Sequence, residues 1–416
     1  MGVTEDTKAA SLLRNRRFLR YIAMNISSRT ASSVFMIAVV WVVFGATKSV
    51  IDVGIVGLAE SLTALAFTLP GGVWVDRYSR RTLLALANAV RAVGVGFLAA
   101  VVALYGFQLA AVVATAVIWA GATELYRSCN YSYIPELVDP AKLSDANGVT
   151  RASTSVIASA SSAMGGGILA FIGAVAAFAY GAVGFAAGAA FALLLAARSA
   201  PAQAKSLARA GMLTEVRAGM SWLVSQRGLF YLSVSATVFN FLGGAAFYYL
   251  VVYMVQGAGL GAFAFGVAVG ANVLGTAMGS IALGRTGALS RAGAVWVVCL
   301  GSVTGSLYLL MGLAPLETVA VAALFAIGLA QGFGGNAWLT AAQNLVPQGM
   351  RGRYFAIDGL LSFVGGPPAI VAGSLLIAFV GVLPVYDYIG AALLLASVVF
   401  GAQRDLWKLD GRAKAA

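Results

Sequence analysis

Histidine is absent from this 416-residue chain, so no proton relay here runs through an imidazole. Cysteine is nearly absent: Cys129 and Cys299 lie in or beside different apolar segments and make neither a disulfide framework nor a metal site. Charge is scarce, at 10% of residues against 60% hydrophobic. With a mean hydropathy of +0.89, the chain is excluded from the soluble globular class. No phosphate-binding motif of the form G-x-x-x-x-G-K-S/T occurs, which excludes an ATP-driven pump built from this chain alone. No catalytic signature replaces it, so the sequence is read as a non-enzyme with no cofactor and no metal. Glycine, by contrast, is abundant: 50 glycines fit close helix packing in lipid, where small residues let backbones approach.

Twelve hydrophobic runs follow one another, approximately 21–46, 50–74, 83–105, 107–125, 149–171, 174–196, 229–255, 261–283, 293–313, 317–345, 355–380 and 384–402. At about 1.5 Å per residue most can cross a hydrocarbon layer about 30 Å thick. Six precede a polar connector and six follow it. The expected organisation is a six-helix bundle over 1–197, a cytoplasmic connector over 198–227 and a second six-helix bundle over 228–416. Within the connector, 213–224 reads as an amphipathic surface helix. The fold class is thus an all-α membrane protein with twelve transmembrane helices in two bundles.

Of the 27 lysines and arginines, all but Arg29, Lys48 and Arg91 fall in the two termini, the connector and alternate loops on one side. By the positive-inside rule both termini are cytoplasmic. The net charge of +12 is explained by these loops and calls for no nucleic-acid partner. The first run is too long for a signal-peptide core and no small-residue cleavage site follows it, so it reads as a retained first helix.

Between the second and third runs lies Gly71-Gly72-Val73-Trp74-Val75-Asp76-Arg77-Tyr78-Ser79-Arg80-Arg81. An acid followed closely by three arginines, entered through a glycine pair, makes a tight charged loop that belongs just outside a bilayer. Asp76 at a helix end is stabilised by the positive end of a neighbouring helix dipole and by a nearby arginine. The candidate partners are the start of the eleventh run and Arg127, with Glu124 and Asp358 nearby in the same gate network. One reading makes the motif a cytoplasmic latch; the other leaves Asp76, Arg77, Arg80 and Arg81 fixing only topology and turn geometry. Sliding the second half over the first puts Gly71 and Arg77 on Gly279 and Arg285, and at nearly the same offset Ile134-Pro135 falls on Val346-Pro347. That repetition favours an ancient duplication of a six-helix half.

The loop resembles the signature between the second and third helices of the major facilitator superfamily, with Ser79 where that family usually has glycine. Tyr133-Ile134-Pro135-Glu136-Leu137-Val138, then Asp145-Ala146-Asn147-Gly148, and later Val346-Pro347 before Arg351-Gly352-Arg353, resemble the drug/proton antiporter branch that includes macrolide and enterobactin exporters. Two departures are visible. The sixth run reads Ala179-Tyr180-Gly181-Ala182 where that branch often has an aspartate. Gly165-Gly166-Gly167 stands in the fifth run where exporters of the superfamily often have glycine-proline, and with Gly365-Gly366-Pro367-Pro368 it reads as a packing and bending point.

Three charges lie deep. Counted from Arg17, Asp76 and Arg81 at about 1.5 Å per residue, Arg29, Glu60 and Arg91 sit roughly 18, 24 and 15 Å into the membrane. Each costs several kcal/mol unless paired or wetted, at about +2.5 to +3.5 kcal/mol on insertion scales. Arg29 and Glu60 lie at similar depth on consecutive helices and are expected to pair, either as a lock between those helices or as a proton-coupling site in which Glu60 titrates.

Polar and aromatic residues also follow helical stripes: Tyr21, Asn25, Arg29 and Ser32; Thr115, Trp119, Thr123 and Tyr126; Asn240, Gly244, Phe247 and Tyr248; Gln331, Gly335, Trp338 and Ala342. The resemblance implies that these four helices line a central cavity, with Asn25, Arg29, Arg91, Trp119, Asn240, Phe247, Tyr248, Gln331 and Trp338 as substrate contacts. Aromatic walls with a few amides suit a bulky amphipathic solute rather than a sugar. The expected function is proton-coupled export of small organic molecules by alternating access in the cell membrane, by a monomer whose partners are substrate, protons and lipid. An uncoupled or import-direction transporter, and a lipid scramblase or sensor on the same fold, are the alternatives.

Overall fold

The computed structural model describes residues 15–138, 143–195, 220–283, 286, 290–347, 350, 354, 357–359, 361 and 364–410. Most of the connector and the loop around Gly284 and Arg285 lie outside the described residues, as do Arg351-Gly352-Arg353. The chain divides into two compact units, Met1–Lys205 with Phe265–Gly270, and Ser206–Ala264 with Ala271–Ala416. Eleven helices among the described residues are long and apolar enough to cross a membrane, and a twelfth apolar helix, Gly366–Val380, is shorter.

In the first unit the helices are α1 (Arg16–Thr47), α2 (Val50–Arg77), α3 (Arg80–Tyr105), α4 (Leu109–Leu137), α5 (Leu143–Phe171) and α6 (Ala174–Leu193). The side chain of Asn15 opens α1 by accepting from Arg17 N and Phe18 N at 3.0 and 3.4 Å, satisfying two of the donors a helix start leaves free. The turn to α2 is short. Lys48 adopts the left-handed region at φ 54° and Ser49 then caps α2 through Asp52 N at 3.2 Å. Gly106 (φ 72°) and Gly173 (φ 114°) end α3 and α5 in backbone conformations that a side chain disfavours. The division between the fifth and sixth spans therefore falls at Gly173.

Helix α6 packs on α1 and α3 through a face of small residues. A Cβ added at Gly184 meets Ala31, one at Gly181 meets Val95, and one at Gly188 meets Ser28 Oγ at 2.7 Å and Asn88 Oδ1 at 2.9 Å. That last glycine leaves room for a buried Ser28 to Asn88 hydrogen bond of 2.7 Å. The adjoining end of the bundle, where α1 and α3 begin and α6 ends, is filled by Phe18, Tyr21, Met24, Leu84, Cys129 and Tyr133.

In the second unit the helices are α7 (Arg227–Tyr248), α8 (Ala262–Leu283), α9 (Ala292–Leu313), α10 (Glu317–Leu345), α11 (Gly366–Val380), α12 (Val382–Gly401) and the short α13 (Arg404–Trp407). Beyond α7 the chain continues through Leu250–Val252 into a π-helical turn over Tyr253–Gly257. A second π segment, Val298–Val303, interrupts α9 where Gly301 lies against Ser397 and Phe239. Pro367 and Pro368 sit in the first turn of α11, where their missing N–H has no partner to lose. The described residues 357–359, 361 and 364 before the run are helical as well, so the glycine-proline run sits at a break between helical stretches, in keeping with its reading as a bending point.

Helices α8 and α10 interlock backbone to backbone. A Cβ on Gly275 or Gly279 collides with the carbonyl oxygens of Phe325 or Leu329, and one on Gly328 or Gly332 with those of Asn272 or Thr276. Because the backbones are so close, short side chains bridge them: Asn272 Nδ2 donates to Leu324 O at 3.0 Å, Asn336 Nδ2 to Ser280 O at 3.2 Å and Ser280 Oγ to Gly332 O at 3.3 Å. Glycine pairs four residues apart and interhelical hydrogen bonds are the forces that hold helices together in lipid. Gly328→Ala is expected to destabilise the detergent-solubilised protein by about 1–3 kcal/mol through overpacking. Gly335→Ala, on the same helix with nothing within 4 Å, should leave the unfolding midpoint in place. Equal midpoints for the two variants would contradict the interlock.

Candidate functional site

The first unit forms a partly open cavity of about 520 Å³ lined by Asn25, Ser28, Arg29 and Ser32 of α1, Arg91 of α3, Thr123, Tyr126, Arg127, Asn130 and Ile134 of α4, and Thr150 and Thr154 of α5. Helical spacing explains the set. Positions 25, 28, 29 and 32 share one face of α1, and 123, 126, 127, 130 and 134 share one face of α4. Two of the predicted stripes therefore meet across a common space.

Arg91 is the structural centre of this wall. It is 1% exposed, with Nε donating to Ala87 O at 3.2 Å and Nη2 to Asn88 Oδ1 at 2.8 Å. The guanidinium carbon lies 4.4 Å from the centre of the Tyr126 ring and 4.6 Å from that of Phe185. Two aromatic faces and neutral oxygens hold the charge, in the flat geometry that guanidinium favours over ammonium. Tyr126 is itself fixed, its hydroxyl donating to Asn25 Oδ1 at 3.0 Å while Asn25 Nδ2 donates to Tyr21 O at 2.9 Å. Ser28, Asn88, Arg91, Tyr126 and Asn25 thus form one chain of contacts across α1, α3 and α4.

The expected pairing of Arg29 with Glu60 is not formed. Arg29 is exposed on the cavity and, among the described residues, has no ion-pair partner, while Glu60 is absent from the lining and its buried Oε1 has no hydrogen-bond partner. Equal depth on consecutive helices leaves the direction around each helix open, and Arg29 faces α4 and Arg91 instead. In the gate motif, Gly72, Asp76 and Arg77 fall at the end of α2, but their side chains lie outside the described residues. Arg81 donates to Leu193 O, and Arg80 is half-buried. Glu124 and Arg127 bond to each other along α4 at 2.5 Å, and Arg127 also reaches the cavity wall.

Trp119 is buried against Phe35, with ring centres 5.2 Å apart, one turn beyond the cavity lining. In the second unit, Asn240 and Phe247 are exposed, and Tyr248, Gln331 and Trp338 are half-buried. Tyr248 lies edge-on to Tyr249 at 5.4 Å, and Trp338 is 6.0 Å from Trp296. Asp358 is buried beside Tyr354, whose hydroxyl is 3.1 Å from Ser233 Oγ. Asn88, Phe185, Asn130, Thr150 and Thr154 were missed in the sequence. Asn88, one turn before a deep arginine, carried a signal; Phe185 comes from a distant helix and carried none.

Apolar membrane-length helices beside a partly open polar cavity define a multi-pass membrane protein. A family model described as the Major Facilitator Superfamily matches residues 21–370, and the chain belongs to that superfamily of transporters. No curated protein matches it. Among solved structures it is similar to a mutant of the nucleoside transporter NupG, at 14% identity and TM-score 0.75, covering 93% of this chain and 99% of that one. It is also similar to a bacterial homologue of the iron transporter ferroportin in an inward-facing state, at 15% identity and TM-score 0.71, covering 95% and 99%. A third is a POT family transporter in complex with 5-aminolevulinic acid, at 12% identity and TM-score 0.69, covering 92% and 95%.

The double aromatic clamp makes Arg91 sensitive to shape as well as charge. A desolvated cation–π contact contributes about 2 kcal/mol. Arg91→Lys keeps a buried charge but loses the flat contact, and is expected to lower the unfolding midpoint more than Arg91→Met, which removes the charge. Wild-type stability of the lysine variant in thermal unfolding would contradict the clamp.

Proposed function

We propose that this chain is a secondary active transporter of the cell membrane that exports small amphipathic organic molecules in exchange for protons. It has twelve spans and cytoplasmic termini, and it works by alternating access as a monomer. The observation that carries the reading is the polar chamber of the first unit in a chain otherwise 60% hydrophobic. The similar structures include a nucleoside transporter, a homologue of an iron transporter and a peptide transporter, so the shared fold does not choose among solutes.

Proton coupling is assigned to Glu60. A carboxylate oxygen buried without a partner is costly in hydrocarbon, and a bound proton relieves that cost. Access to water from one side and then the other thus loads and releases a proton. In this scheme Arg29 belongs to the substrate side of the machinery rather than to a fixed pair with Glu60. The motif from Gly72 to Arg81, with Asp76 at the end of α2, supplies the cytoplasmic latch, and Glu124, Arg127 and Asp358 belong to the same gate network. The remaining proposed substrate contacts are Asn25, Arg91, Trp119, Asn240, Phe247, Tyr248, Gln331 and Trp338.

The test is flux in proteoliposomes under an imposed pH gradient, with a panel of fluorescent amphipathic organic solutes. Glu60→Gln should abolish gradient-driven accumulation and leave solute binding and downhill exchange in place. Full accumulation by the variant would remove Glu60 from the coupling.

A further inference from the structure

The charge of the cavity in the first unit is one-sided. Arg29, Arg91 and Arg127 all line it, and among the described lining residues there is no carboxylate. Arg127 is offset by Glu124 on its own helix. Among the described residues Arg91 is met by a backbone carbonyl, an amide oxygen and two aromatic rings, so its charge is accommodated there without being neutralised. Arg29 is exposed to the same space with no ion-pair partner among the described residues. Two cations thus face one chamber, and a positive chamber walled by low dielectric concentrates the field on whatever enters it.

The neutral groups of the same wall add one open donor and one open acceptor, since Asn130 Oδ1 is buried with no hydrogen-bond partner among the described residues. The buried Thr123 Oγ1 has no hydrogen-bond partner among the described residues and keeps its proton for an acceptor. Asn25, Ser28 and Thr150 already spend theirs within the protein: Asn25 Nδ2 on Tyr21 O, Ser28 Oγ on Asn88 Oδ1 and Thr150 Oγ1 on Ala146 O. Free donor capacity is therefore gathered at Arg29 and Thr123, on facing helices. Ile134 and the ring of Tyr126 supply apolar surface beside them. A chamber of about 520 Å³ suits a drug-sized solute.

We infer that the solute is a soluble organic anion, a carboxylate or phosphate monoester on an apolar body, whose acid group lies between Arg29 and Arg91 and accepts from Thr123. This rests on the transport reading above and narrows its substrate class. Charge-assisted hydrogen bonds from guanidinium to carboxylate or phosphate are short and strong, and both acids fit the same fork. An expelled or exchanged anion leaves the two arginines facing each other unscreened, which favours reloading or closure of the chamber.

The experiment is ligand-induced thermal shift of the purified full chain in phosphatidylcholine nanodiscs. The probes are 3-phenylpropionate and phenyl phosphate, with 3-phenylpropionamide as the neutral match. The anions should raise the unfolding midpoint in a saturable way and the amide should not. Arg29→Gln, at an exposed position that leaves the Arg91 clamp intact, should weaken anion binding about thirtyfold, and Arg29→Lys should recover part of it. An amide shift equal to the anion's, an unchanged affinity in Arg29→Gln, or no anion-dependent shift at all would overturn the assignment. So would a shift produced only when phosphatidate is added to the nanodiscs, which would put a lipid headgroup in the chamber. Because binding is read without flux, anion binding by a protein that moves none of these probes would count against the transport reading and still support the anion site.

Discussion

An isolated charge in hydrocarbon costs several kcal/mol, and the first unit is organised around paying that cost at Arg91. The guanidinium is pressed between Tyr126 and Phe185 and fastened to Ala87 and Asn88. Each of those partners is itself held. Tyr126 bonds Asn25, Asn88 accepts from Ser28, and Gly188 of α6 leaves the space in which Ser28 and Asn88 meet. One buried cation thereby ties α1, α3, α4 and α6 together and sets the wall of the chamber.

The second unit solves a different problem. It has no comparable deep basic residue in its apolar runs, and its helices gain cohesion through backbone proximity. Glycines on α8 and α10 face the partner's carbonyls, and asparagine and serine side chains bridge the narrow gap. Tyr253 stacks on Tyr386 with ring centres 4.6 Å apart, and their hydroxyls reach Met311 O and Ala246 O. Buried tyrosines of this kind satisfy their polar end locally while the ring fills space. Descent from a common half is thus compatible with two distinct ways of holding helices in lipid.

Much of this was legible in the sequence. Hydropathy located the helices because a span must be long and apolar, whereas the positive φ at Gly106 and Gly173 that ends two of them is seen only in the structure. Helical spacing put Asn25, Arg29 and Ser32 on one face and Thr123 and Tyr126 on another, and both faces line the cavity. Depth was readable for Arg29 and Glu60, but rotation about the helix axis was not, and that is why their pairing failed. The aromatic clamp was also hidden, since Phe185 approaches Arg91 only through the packing of α6 on α3. The run Gly365-Gly366-Pro367-Pro368 was readable as a bending point, and the helical residues on either side of Gly365 are interrupted there.

The central claim is that the chamber opens to each side of the membrane in turn. The direct measurement is the reactivity of Ser32→Cys, a cavity position, in a chain carrying Cys129→Ala and Cys299→Ala. A membrane-impermeant maleimide is applied to right-side-out and to inside-out vesicles. Alternating access predicts labelling from both faces, with the balance between them shifted by pH. Labelling from one face only, or from neither, at every pH and with every solute would contradict it.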